Sequence, residues 1–192
     1  MPSDDSAGAT RSFDEPGGRA AKNPEDLTRL AADASLSEED ALNLLRRADL
    51  SPGVLEQIGK NGSVLKHRKV KVALVEHPKT PRHVSIPLVR QLYTFDLMQV
   101  ALTPVVPADV KLAAEEALCN RMETISSGEK LTLAHRASGR VAGELLLDAE
   151  TRVMQAALQN SHLTEAVIVR ALMRPEASAA LVECVSGHPQ WR

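Results

Sequence analysis

From about Pro24 onward, apolar residues recur at intervals of three and four in short runs, each preceded by Ser, Thr or Pro. Ala41, Leu42, Leu44 and Leu45 make one such run; Val54, Leu55 and Ile58, then Val167, Ile168, Ala171 and Leu172, then Leu181, Val182 and Val185 make others. Each puts one apolar face on a short helix. Ser37, Ser51, Thr164 and Ser178 stand where a side-chain oxygen can accept from an unpaired first-turn N–H, which predicts N-caps there. Glu38, Glu39 and Asp40 suit the positive end of the helix dipole, Pro52 and Pro81 sit where a missing N–H is harmless, and Leu36, Leu50 and Leu163 are placed to staple onto the first turn. Longer helices are predicted over Pro107 to Cys119, Ser127 to His135, Ser138 to Leu147 and Asp148 to Leu158. No stretch alternates apolar and polar residues between hairpin turns, so no strand is predicted. Pro87 follows Pro81 by six residues in what reads as one helix to Leu92, and a break or kink is expected between His83 and Pro87.

The punctuation between the runs recurs. The stretch HPKTPRHV from His77 has a small or Pro residue second, Ser, Thr or Pro fifth, and an aliphatic residue eighth. Similar stretches begin at Arg47 (RADLSPGV), Thr103 (TPVVPADV), Asn160 (NSHLTEAV) and Arg174 (RPEASAAL), with a weaker copy at Asp33 (DASLSEED) and a start at His188-Pro189. Their spacings approximate one, two, two, four, one and one units of about 14 residues. Helices of roughly 8 to 10 residues do not persist alone in water, so each must stack on its neighbours. The expected fold is all-α, an α-solenoid of short stacked helices over residues 24–192, preceded by a disordered tail over residues 1–23.

The segments VKVALVEHPKTPRHV and VMQAALQNSHLTEAV share Val, Ala three later, His or Asn seven later and Val a further seven on. They resemble the leucine-rich repeat variant, a relative of the HEAT repeats, and the resemblance spans about Ser35 to Arg192. It implies a helical solenoid used as a binding surface and brings no catalytic residues. The cysteine cluster that accompanies such repeats in an iron–sulfur member has no counterpart here.

Composition narrows the function. Aromatics are 2% of the 192 residues, so the core must be Leu, Val and Ala, and readouts that rely on stacked rings are disfavoured. A formal net charge of −2 and a pI near 6.3 give no global attraction to nucleic acid or anionic lipid. Cys119 and Cys184 lie far apart and form no CxxC pair, no basic-then-apolar leader opens the chain, and no window reaches the roughly 20 apolar residues of a membrane span. Those features predict a cytoplasmic protein with no membrane contact.

The sharpest local feature is charge. Between Lys60 and Arg90, eight cations face the single acid Glu76, and Lys66, Arg68, Lys69, Lys71, Lys79, Arg82 and Arg90 are the candidate binding residues. A phosphate backbone could find them, although Lys66, Lys69 and Lys71 cannot share one narrow helix face. The six histidines never recur at a metal-binding interval of three to five residues. His77 and His188 instead occupy the Asn-or-His slot, where capping a preceding helix is the natural job. Glycines form no phosphate-binding loop, and the carboxylates near Asp109 and Glu144 lack the pocket that acid–base work requires. No catalytic, cofactor-binding or metal-binding residue is identified. The leading expectation is a non-catalytic scaffold or adaptor that binds a protein partner along a groove; the alternative is a nucleic-acid-binding or nucleic-acid-processing helical-repeat protein using the segment Lys60 to Arg90. A third class, a hydrolase or metalloenzyme, would announce itself by bound metal or a strongly perturbed titrating group.

The final helix, near Ser178 to Ser186, carries Leu181, Val182, Cys184 and Val185 with no further helix expected after it. Either Trp191 folds back over that face or an intermolecular contact, self-association included, covers it. The intermolecular cover is favoured, because one ring shields at most roughly 250 Å².

Overall fold

The computed structural model describes residues 23–191. The expected N-terminal tail therefore lies, apart from Asn23, outside the described residues. Among these the protein is all-helical, with thirteen helices and no strand. They are α1 (Pro24–Ala32), α2 (Glu38–Leu45), α3 (Pro52–Lys60), α4 (Gly62–Leu65), α5 (Arg68–Glu76), α6 (Arg82–Val89), α7 (Thr94–Leu102), α8 (Ala108–Cys119), α9 (Ser127–Arg136), α10 (Gly139–Leu145), α11 (Thr151–Leu158), α12 (Glu165–Leu172) and α13 (Ala179–Gly187).

Local chemistry accounts for the helix starts. Ser37, Ser51, Thr164 and Ser178 all occupy N-cap positions; the Ser37 and Ser178 side chains accept from the amides of Asp40 and Leu181, whereas those of Ser51 and Thr164 do not make the expected cap hydrogen bond. Ser126 and Glu129 complete a reciprocal capping box at α9, and those hydrogen bonds hold the Glu129 carboxyl below its ordinary range. The stapling residues Leu36, Leu50 and Leu163 are buried. All the stretches matched by the eight-residue template lie at helix ends, and the fourth residue's N–H bonds the first residue's carbonyl in those starting at Asp33, His77, Thr103, Asn160, Arg174 and His188.

Helices pack on those two places along, as α1 on α3, α6 on α8, α9 on α11 and α11 on α13, and also on consecutive neighbours, above all α7 on α8, while α2 reaches α5. The shared core is aliphatic, with Leu55, Ile58, Leu74, Leu97, Leu118, Leu133, Leu146 and Leu158 fully buried. At two positions glycine leaves room for a side chain of another helix. A Cβ on Gly59 would stand 2.6 Å from a Val84 methyl, and one on Gly143 would overlap a Val167 methyl.

Polar side chains tie these layers at their C-terminal ends. Asn61 Nδ2 donates to the carbonyls of Ala31 (3.0 Å) and Asp33 (2.8 Å) at the end of α1, and Asn160 Nδ2 donates to those of Ala134 (2.8 Å) and Ala137 (3.0 Å) at the end of α9. His77 Nε2 lies 3.1 Å from the Arg47 carbonyl beyond α2, so this histidine caps a helix thirty residues back while its own backbone closes α5. Arg121 does the same work with its guanidinium, donating to the carbonyls of Leu92 (2.6 Å) and Arg90 (2.7 Å) past the end of α6. Carbonyls that the helix leaves orphaned are thereby satisfied by the next layer.

One expectation needs correction. Helix α6 runs without interruption from Arg82 through Pro87 and stops at Val89, short of Leu92. Pro87 is exposed and only two residues from the helix end, so it removes one hydrogen bond beside solvent, where the cost is smallest. At the C-terminal edge Trp191 folds back: its indole N–H donates to the Leu158 carbonyl (2.8 Å), and its partly buried ring packs on the core and stacks on His188. His188 thus braces the tryptophan, and it is Trp191 that reaches the earlier helix. Val182 and Met173 stay exposed.

Ser85 on α6 is fully buried and its hydroxyl has no hydrogen-bond partner. Ser85→Ala removes an unsatisfied polar group from the core and is expected to raise stability by about 1 kcal/mol, read as a higher urea midpoint at unchanged slope.

Candidate functional site

The basic segment does not present seven free cations. Arg68, at the start of α5, is held by the Asp96 carboxylate of α7 through two hydrogen bonds, Nε to Oδ2 at 2.8 Å and an Nη to Oδ1 at 2.7 Å. Asp96 is 5% exposed, so this carboxylate is withdrawn from water and needs its partner. The same guanidinium lies 5.3 Å from the centroid of the Tyr93 ring, and its hydrogen bonds to Asp96 raise its pKa further above the ordinary arginine value. Lys71 donates to Gln91 (3.1 Å), and Arg82 pairs with Asp109 of α8. Lys60, outside the candidate set, pairs with Glu56 (2.7 Å).

Lys66, Lys69, Lys79 and Arg90 make no ion pair among the described residues, and all four are exposed. Lys79 is close enough to Asp49 that its charge adds slightly to the lowering of that carboxyl, which comes chiefly from the Arg47 hydrogen bond. The candidates are also divided in space. Arg68 and Lys69 line a groove between α2, α5 and α7, whereas Arg90 lines a second groove, between α6 and α8, beside Glu116 and Arg121.

The first groove, of about 550 Å³, is larger than the second, of about 340 Å³. Its floor is Val72 and Ala73 of α5; its walls carry Glu38 of α2, Glu76 of α5, and Asp96 and Gln99 of α7. Glu76 accepts from Gln99 Nε2 (2.7 Å) and from the Thr103 hydroxyl (3.2 Å), and Glu38 lies 3.2 Å from His67 Nδ1. Tyr93, 66% exposed, presents its ring to Arg68, which lines this groove. Sequence reasoning picked Arg68 and Lys69 but missed Tyr93, Asp96 and Gln99 as their companions. One signal was available for Asp96: it follows Phe95 and precedes Leu97 on a helix whose other buried residues are all apolar, which marks a carboxylate at a core phase.

Among the described residues no group of three or more His, Cys, Asp or Glu side chains converges as a metal site would require, and no helix is long and apolar enough to cross a membrane. The one thiol with a marked shift, Cys119, is half-buried at the end of α8. Burial first, and the Glu144 charge second, push its pKa up to about 11. It therefore stays protonated in mildly alkaline buffer, and we expect iodoacetamide to alkylate it roughly tenfold or more slowly in the folded chain than in urea. Equal rates in the two states, followed by peptide mass mapping, would contradict the burial.

Comparison of the chain with protein-family models, with curated proteins and with solved structures finds no match.

Proposed function

We propose that the chain is a non-catalytic α-solenoid scaffold of the HEAT-like kind that binds a protein partner in the groove between α2, α5 and α7. The observation that carries this reading is the Tyr93–Arg68–Asp96 arrangement. An exposed ring is held against a guanidinium that is itself locked by two hydrogen bonds to a buried carboxylate. Tyrosine and arginine are the side chains that most often dominate binding energy at interfaces, and a pair fixed in advance loses little entropy on docking. The groove beside it has an apolar floor and charged walls, as a protein interface does. Layered packing between helices two places apart supports the solenoid reading, because such stacks expose long continuous surfaces.

The test is affinity capture with the full chain, followed by titration of the captured protein against Tyr93→Ala. Loss of roughly tenfold in affinity, with unchanged helical content, is expected. A partner bound equally well by Tyr93→Ala and by Lys69→Glu would sink the assignment of this groove.

The nucleic-acid reading keeps one observation in its favour, the four exposed cations without ion pairs. It predicts duplex DNA binding at low salt that weakens steeply as salt rises, through counterion release. Absence of binding at low salt removes it.

A further inference from the structure

Asn61 is followed by Gly62, the pairing in which a backbone nitrogen is least hindered from attacking the preceding side-chain amide. In the folded chain that attack is blocked. Asn61 is 9% exposed; its Nδ2 is held by the Ala31 and Asp33 carbonyls, and its Oδ1 accepts from the Ser63 amide (3.1 Å) and hydroxyl (2.7 Å). Two of these bonds run to the end of α1 and part when it opens; the two from Ser63 are local to the first turn of the four-residue α4, which frays on its own once Asn61 is released from α1. The two carbonyls belong to the end of α1, a helix whose only buried side chains are Leu27 and Ala31. Helix α1 packs chiefly on a single neighbour, α3, and a helix held through one neighbour is of the kind that opens locally.

The fold itself gives no reason for glycine at this position. A Cβ on Gly62 would meet no atom within 4 Å, and its φ lies outside the left-handed range. Asn160 makes the same clamp on α9 but is followed by Ser161, so the molecule contains its own comparison.

We infer that Asn61 is a conditional deamidation site, silent while α1 is docked and reactive once it opens, whose product releases α1 for good. In the step, the Gly62 nitrogen forms a bond to Asn61 Cγ as the Cγ–Nδ2 bond breaks. Ammonia leaves, carrying the proton lost from that nitrogen. Water then adds to either carbonyl of the five-membered ring and opens it to aspartate or isoaspartate; no electron is transferred. A carboxylate has acceptors only, so it has no proton to give to the Ala31 and Asp33 carbonyls it would face. Isoaspartate also inserts a methylene into the main chain between α3 and α4.

The experiment incubates the full chain in mildly alkaline buffer and follows Asn61 and Asn160 by peptide mass mapping, alongside Leu27→Ala, Gly62→Ala and the wild type in urea. Conversion of Asn61 is expected to be roughly tenfold faster in Leu27→Ala than in wild type and fastest in urea, with Asn160 unchanged by Leu27→Ala. Gly62→Ala should slow it in every condition without loss of helix. Hydrogen exchange on aged protein and on Asn61→Asp should show α1 deprotected and α9 to α13 as before. The inference fails if Leu27→Ala leaves the Asn61 rate unchanged, if wild type and Leu27→Ala stay unmodified while the urea sample converts, or if α1 keeps its protection in Asn61→Asp.

Discussion

Gly139→Ala is expected to lower stability by about 3 kcal/mol, the largest loss among glycine-to-alanine changes in the described residues. Gly139 opens α10, and a Cβ there would overlap the His162 carbonyl oxygen, with the carbonyl carbon at 3.2 Å and Leu163 Cα at 3.9 Å. The obstruction is backbone, so no rotamer change relieves it; either α10 or the α11–α12 connection must shift. Alanine's better helix propensity returns less than 1 kcal/mol. Gly143→Ala, which meets only a Val167 methyl, should cost less, and Gly128→Ala, with nothing within 4 Å of the new Cβ, should be neutral or stabilising by about 0.5 kcal/mol. Urea denaturation of the three variants checks the order. A Gly139→Ala protein as stable as wild type would mean that α10 and the α11–α12 connection are not in contact.

Asn160→Ala is expected to cost about 3 kcal/mol by a different route. Asn160 is 3% exposed and serves three backbone groups at once, donating to the Ala134 and Ala137 carbonyls and accepting from the His162 amide at 2.7 Å. Truncation leaves all three without a partner, and an unmet buried polar group costs more than a made hydrogen bond contributes. Asn160→Asp separates donation from packing. Its carboxylate can still accept from His162 but faces two carbonyls, so its folded pKa must rise above the unfolded value. The protonated form can donate one hydrogen bond, so the variant is stabilised in acid and loses that stability as pH rises through the folded pKa. A flat pH dependence relative to wild type would show that the amide's donors do not matter. Because His162 touches both Gly139 and Asn160, the double variant should fall short of the sum of the two losses.

Much of the local structure was legible in the residues because its causes are local. Ser37, Ser51, Thr164 and Ser178 sit at the N-caps they predicted, and the helix expected from Pro107 to Cys119 is found as Ala108–Cys119 with Pro107 as cap. Spacing of three and four marked Val54, Leu55 and Ile58 as core, and all three are fully buried. At Pro87 the expected break is absent: α6 runs through it as one short helix and ends two residues later at Val89.

Periodicity fixes the phase of a helix about its own axis but not which helix it meets. The residues by themselves therefore determined that the described part of the chain is all-helical, where helices begin, and which faces are apolar. Only the tertiary structure decided that Asp96 would reach back to Arg68, that Asp109 would neutralise Arg82, and that a basic run would become a groove with charged walls. It decided also that Asn61, His77 and Asn160 cap helices some thirty residues upstream, and that Trp191 closes on Leu158. Each of these contacts joins residues more than twenty positions apart, and their pairing is selected by how apolar faces and unpaired carbonyls are satisfied together when the helices stack.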